Sequence, residues 1–108
     1  MTRLYTLEEL FSQVEANPYK LRVPVGVAEL IRGTHPEIKK KMKASLETIL
    51  QDPNAGKVLK NELAGLRSFR ASRFRIIYSI GEDNIIELAA IGPRKSIYEE
   101  TFRLISKG

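Results

Sequence analysis

The stretch that most constrains the fold runs from Leu66 to Tyr98, LRSFRASRFRIIYSIGEDNIIELAAIGPRKSIY. Phe74, Ile76, Tyr78 and Ile80 recur at every second position with Arg73 and Arg75 between them. That is the period of a strand with one buried face and the arginines projecting from the other. Gly81-Glu82-Asp83-Asn84 is a cluster of turn formers, and the apolar run from Ile85 to Ile91 can fold back on the first strand as an antiparallel hairpin. Gly92-Pro93 then stops the ladder, because proline has no N–H to donate. Ser68 to Ser72 alternates as well and forms a further hairpin with residues 73–80 through a tight turn near Ala71 and Ser72. In a regular hairpin Arg94 and Lys95 lie near the start of the Arg75 strand, so several cations gather at one end of one sheet.

The elements before this sheet read as its support. Thr6-Leu7-Glu8-Glu9 has the form of a capping box and opens an amphipathic helix over about 7–16, with Leu7, Leu10, Phe11 and Val14 on one side. Asn17-Pro18 ends it, so residues 1–19 form an additional N-terminal helical segment. Lys20 to Val25 has strand composition, and Pro24 places it at an edge or a strand end. Gly26 to Ile31 begins a helix that Gly33-Thr34 interrupts. A second capping box, Thr34-His35-Pro36-Glu37, precedes the clearest helix of the chain, in which Ile38, Met42, Leu46, Ile49 and Leu50 share one face. Asp52-Pro53-Asn54-Ala55-Gly56 terminates that helix. Lys57 to Leu66 is a loop with a helical turn, and Ile97 to Ile105 forms a last helix with Ile97 or Tyr98, Phe102 and Ile105 inward. The expected architecture is one α+β domain over residues 1–108, an antiparallel sheet of about four strands with helices packed on one face.

Composition excludes more chemistry than it supports. The 108 residues contain no cysteine and one histidine, so thiolate catalysis is excluded and a zinc site lacks its usual ligand set, and no carboxylate run has the spacing of a calcium or magnesium loop. His35, at a helix start, reads as a surface residue rather than a base. Glycine-rich nucleotide loops are absent, and no small-molecule cofactor or metal is expected. No apolar run approaches the roughly 20 residues that span a bilayer, so a cytoplasmic protein without a membrane partner is the expectation. The formal charge of +5 favours a polyanionic partner, either nucleic acid or an acidic protein. Arg67, Arg70, Arg73 and Arg75 occur without an intervening acid, with Arg94-Lys95 and Tyr98 close behind. Two readings are open: an ordinary solvated sheet face, or a phosphate-binding one on which Tyr98 offers a phenol or a stacking ring. Lys39, Lys40, Lys41 and Lys43 are a solvated helix face or a secondary contact to phosphates.

LRSFRASRFRIIYSI followed by IIELAAIGPRKSIYEE resembles the RelE/ParE superfamily of toxins from toxin–antitoxin pairs, over roughly Leu21 to Ile105. The resemblance implies a small microbial RNase-like fold and, in the RelE branch, an endoribonuclease that cuts messenger RNA in the ribosomal A site. Its partners would be the ribosome, mRNA and a cognate antitoxin. Carried onto this sequence, the resemblance implies catalytic roles for Arg70, Arg75, Arg94 and Tyr98: Arg70 and Arg75 clamp the phosphate, Arg94 clamps it or donates a proton, and Tyr98 acts as base or stacking platform. Arg67, Arg73 and Lys95 would bind RNA. Arginine or serine stands where that branch has paired lysines. The ParE branch shares the fold but inhibits DNA gyrase without cutting RNA, and an inactive relative would only bind nucleic acid.

Overall fold

The computed structural model describes residues 2–5 and 20–106. Among them six strands form one sheet: β1 (Thr2–Tyr5), β2 (Lys20–Pro24), β3 (Lys57–Val58), β4 (Arg67–Ala71), β5 (Phe74–Ile80) and β6 (Ile85–Pro93), in the order β1-β2-β6-β5-β4-β3. Three α-helices accompany it: α1 (Val25–Gly33), α2 (Pro36–Gln51) and α3 (Arg94–Ser106). The α+β class expected from the sequence holds. The helix expected over 7–16 lies outside the described residues.

Local chemistry explains the hairpins. The β5–β6 connection turns at Glu82 to Ile85, where the Ile85 N–H donates to Glu82 O at 3.1 Å and both central residues, Asp83 and Asn84, have positive φ (55° and 60°). That is the turn geometry whose twist suits a hairpin, and Asp and Asn are the non-glycine residues that tolerate it best. Ser72, at φ 60°, makes the tighter β4–β5 turn, leaving Ala71 paired with Phe74. The β5–β6 ladder is not regular. Ile77 pairs with Ala90 but Tyr78 pairs with Leu88, so Ala89 is the extra residue of a bulge.

The sheet has six strands rather than about four and is mixed rather than purely antiparallel. β1 adds an edge to β2, and β2 runs parallel to β6 with Leu21 opposite Ile86. A parallel neighbour demands a crossover, which α1, α2 and the β3–β5 strands supply. β6 also continues through Gly92 to Pro93, which pairs with Phe74; proline is tolerated at this strand end.

Helices cover both faces rather than one. Leu21, Val23, Phe69, Ala71, Phe74, Ile76, Tyr78, Ile86, Leu88 and Ile91 face α1 and α2, meeting Ala28, Ile31, Met42, Leu46, Ile49 and Leu50 in the main core. Ile77 and Ala90 point the other way, into a second cluster with Ile97 and Tyr98 of α3. The alternation of β5 makes this unavoidable: Ile76 and Tyr78 cannot share a face with Ile77. His35, rather than Thr34 of the expected capping box, caps the N-terminus of α2. The His35 Nδ1 accepts from the Glu37 N–H at 3.2 Å, while the Thr34 hydroxyl donates back to Leu30 O. Leu46→Ala is expected to cost about 2–5 kcal/mol of stability, because the side chain is 0 % exposed. Ile80→Ala should change little, since Ile80, at the end of the same strand period, is 46 % exposed. Urea midpoints of the two variants check the assignment of the buried face.

Candidate functional site

The site lies on the face covered by α3. On β4 this face carries Ser68 and Arg70, on β5 Arg75 and Ile77, and on β6 Ala90 and Gly92, because these residues pair in register: Ser68 with Ile77 with Ala90, and Arg70 with Arg75 with Gly92. Arg70 and Arg75 therefore stand directly opposite each other on neighbouring strands. Directly opposed like charges destabilise a sheet. Among the described residues neither takes part in a salt bridge, and the Arg70 Nε instead donates to Ser72 O at 3.2 Å. Two forked guanidinium groups outside any salt bridge among the described residues are suited to holding a phosphate.

α3 sets the third member of the group. Gly92 lies under Ile97, so close that an added Cβ would sit 2.9 Å from the Ile97 Cδ1. Glycine there lets the first turns of α3 rest directly on the sheet. Ile97 is buried and Thr101 is closed off by donating to Ile97 O at 2.7 Å. Tyr98, half-buried, packs on the same cluster, and its hydroxyl lies 3.0 Å from the Ser68 hydroxyl. Arg94 and Lys95 are the first two residues of α3, directly after the Phe74–Pro93 pair that adjoins Arg75.

The structure thus brings Arg70, Arg75 and Tyr98 onto one face, with the backbone of Arg94 and Lys95 at the same end of the sheet. It does not bring Arg67 there. Arg67 and Arg70 are three positions apart, so alternation puts them on opposite faces. Arg67 Nη1 donates to Gly56 O at 3.0 Å and to Asn54 O at 3.4 Å, bracing a loop on the α2 side. Arg73 is exposed in the β4–β5 turn rather than on the strand face with Arg75. The α2 lysines lie across the sheet from the site. Lys39 donates to Arg32 O at 3.2 Å, and Lys43 sits 3.9 Å from Glu47.

Three residues whose roles in the fold or the site depend on the tertiary structure escape a reading of composition and spacing. Ser68, buried beside Tyr98, is one. Glu100 is another: its Oε2 lies 3.8 Å from where a Gly92 Cβ would stand, which brings a carboxylate over the Arg75–Gly92 pair. The third is Tyr78, whose hydroxyl donates to Pro53 O at 2.7 Å and accepts from the Gly56 N–H at 2.9 Å. Burial raises its pKa, against the lowering effects of the Gly56 hydrogen bond and the Arg67 charge. It holds the sheet rather than the site. The opposite end of the hairpin is acidic, with Glu82, Asp83 and Glu87 around Arg22, which pairs with Glu87 at 3.3 Å. No group of three metal-ligating side chains occurs among the described residues, and none of their helices is long and apolar enough to cross a membrane.

Comparison with solved structures supports the fold. The chain is similar to the RelBE2 toxin–antitoxin complex of Mycobacterium tuberculosis, at 24 % identity and TM-score 0.60 over 71 % of this chain and 99 % of that one. An arginine-substituted mutant of the Escherichia coli toxin RelE in the free state matches at 15 % identity and TM-score 0.63, over 83 % and 99 %. The archaeal RelE–RelB complex of Pyrococcus horikoshii matches at 20 % identity and TM-score 0.57, over 71 % and 96 %. No curated protein sequence matches. The family model for the ParE toxin of the parDE type II toxin–antitoxin system matches residues 27–98, from α1 through β6 to Tyr98 itself. Because that match takes in most of the chain and its whole arginine-bearing hairpin, the protein belongs to the ParE toxin family of type II toxin–antitoxin systems, within the RelE/ParE superfamily.

Proposed function

We propose that this toxin is a ribosome-dependent endoribonuclease that cuts messenger RNA in the cytoplasm and is silenced by a cognate antitoxin. The observation that carries the proposal is the opposed Arg70–Arg75 pair beside the Tyr98 phenol on one face. Cleavage of this kind has the ribose 2′-oxygen attack the adjacent phosphorus. The O–P bond to the 5′-oxygen breaks, the 2′-hydroxyl gives up its proton and the leaving 5′-oxygen takes one. Negative charge grows on the non-bridging phosphate oxygens, and two fixed guanidinium groups stabilise it. Arginine keeps its protons in proteins, so Arg70, Arg75 and Arg94 clamp the phosphate and leave proton transfer to other groups. In this reading Tyr98 serves as base or as a platform for the neighbouring nucleobase. Arg73, exposed in the β4–β5 turn, and Lys95 bind the RNA backbone in this reading, whereas Arg67 is engaged with the loop at Asn54 and Gly56.

The antitoxin in this proposal covers the same surface with an acidic or amphipathic segment. Two of the structural relatives are toxins solved with their antitoxins. A second reading, inhibition of DNA gyrase without RNA cleavage, is favoured by the ParE family model itself. Primer extension on a reporter message after induction of the toxin alone separates the two. New 5′ ends inside the translated frame are expected with the wild type. They should be absent with Arg94→Ala and absent without ribosomes. Intact message with growth arrest and DNA damage would replace the nuclease reading by gyrase inhibition.

A further inference from the structure

We infer that Ser68 is a positioning residue that fixes the Tyr98 phenol on the arginine-bearing face; the inference rests on the nuclease reading and deepens it. Ser68 is 7 % exposed, and its hydroxyl is shared with Tyr98 Oη at 3.0 Å across thirty residues of sequence. A buried hydroxyl without a partner is costly, so each group supplies what the other needs. The bond also joins two elements. Ser68 belongs to β4, one strand in from the β3 edge of the sheet, while Tyr98 belongs to α3, which packs on that face with Ile97. A tyrosine on a helix can turn its ring about χ1, away from the sheet. The hydrogen bond to a strand removes that freedom and assigns the phenol oxygen to a fixed row.

That row matters because of what else stands on β4. Arg70 is the next residue on the same face, so its Cα lies roughly 7 Å along the strand from that of Ser68, at about 3.3–3.4 Å per residue. Arg75 stands opposite Arg70. A phosphate held by the two arginines would therefore meet the phenol from one side only, at a separation set by the strand. Holding a reacting group in one place contributes large rate factors, and small displacements forfeit them. A hydroxyl at position 68 leaves Tyr98 able either to donate to Ser68 or to accept from it, so the contact fixes the place of the phenol without dictating which oxygen carries the proton.

The test measures ribosome-dependent cleavage by purified wild type, Ser68→Ala, Ser68→Thr, Tyr98→Phe and the Ser68→Ala/Tyr98→Phe double variant, resolving kcat from KM. Ser68→Ala is expected to lower kcat roughly tenfold with KM nearly unchanged, the pattern of lost orientation rather than lost binding. Ser68→Thr, which restores a hydroxyl, should return kcat to within about twofold, and Ser68→Ala should have no further effect once Tyr98 is Phe. Ser68→Ala indistinguishable from wild type, no rescue by threonine, or a multiplicative loss in the double variant would each overturn the role. If Ser68→Ala does not fold, Ser68→Cys, which keeps the size of the side chain but is only a weak hydrogen-bond donor, takes its place in the same comparisons. A folded wild type that cuts no message on ribosomes overturns the nuclease reading, and the positioning role with it, which is a different result from an active wild type that ignores residue 68.

Discussion

Replacing Arg70 and Arg75 together by alanine is expected to abolish toxicity and message cleavage, by about 10²–10³-fold or more, while leaving the protein as stable as the wild type or slightly more so. The two halves of this expectation come from the same geometry. The side chains are directly opposed on β4 and β5, and among the described residues no salt bridge compensates either one. Opposed like charges on neighbouring strands destabilise by a few tenths to about 1 kcal/mol, so their removal relieves the folded state. In the transition state of the proposed cleavage the same charges would face an oxyanion, and loss of one such electrostatic contact typically costs 10²–10³ in kcat. Thermal melts beside the cleavage assay check both. Arginines on an ordinary solvated face predict something else: the same slight change in stability, with no loss of activity. A sharp fall in melting temperature would show that the pair is structural and would remove the anion-clamp argument.

Arg67 is the internal control. It occurs in the same arginine run but lies on the α2 face with its guanidinium on the carbonyls of Asn54 and Gly56. Arg67→Ala is therefore expected to lower stability, in contrast to the expectation for Arg70, three residues on.

The sheet was legible in the chain because its signals are local: strict alternation in Phe74–Ile80, Gly81 to Asn84 as a turn, and helical spacing in Met42, Leu46, Ile49 and Leu50. Alternation also contained the parity of Arg70 and Arg75. What local signals do not carry is which strand neighbours which. β1 is only four residues long and has no pattern of its own, and the parallel β2–β6 pairing joins residues more than sixty positions apart. The placement of α3 likewise follows from Gly92, a residue that reads locally as a strand stop and acts in three dimensions as clearance for Ile97. The candidate site divides in the same way. Charged residues announce themselves in a sequence, whereas Ser68 and Glu100 acquire their relation to the site only when α3 folds back over β4 to β6.

A second large expected effect lies outside the site and is one of stability, at the contact between Tyr78 and Gly56. Tyr78 is 0 % exposed, and its hydroxyl closes two backbone bonds of the loop after α2, donating to Pro53 O and accepting from the Gly56 N–H. Tyr78→Phe leaves a carbonyl and an N–H without that partner, at a cost of about 1–3 kcal/mol. Gly56→Ala is expected to cost about 3 kcal/mol or more, because the new Cβ would stand 2.5 Å from Tyr78 Oη and 2.7 Å from its Cε1. A ring packed on all sides has nowhere to move, so the methyl must displace the loop and break the same bond. Urea midpoints measure both costs, and a Gly56→Ala protein within about 0.5 kcal/mol of wild type would refute the packing argument. The contact also has a signature in pH. Burial raises the Tyr78 pKa above its ordinary 10.0, so the folded protein retains a proton that the unfolded chain gives up. Stability from this group is therefore fully present below about pH 10 and declines as pH rises further, by at most about 1.4 kcal/mol per unit. Tyr78→Phe has no such proton to retain. Its stability deficit relative to wild type should shrink between pH 9 and pH 11, and a deficit that stays constant across that interval would mean that the Tyr78 phenol ionises as readily in the folded sheet as in the unfolded chain.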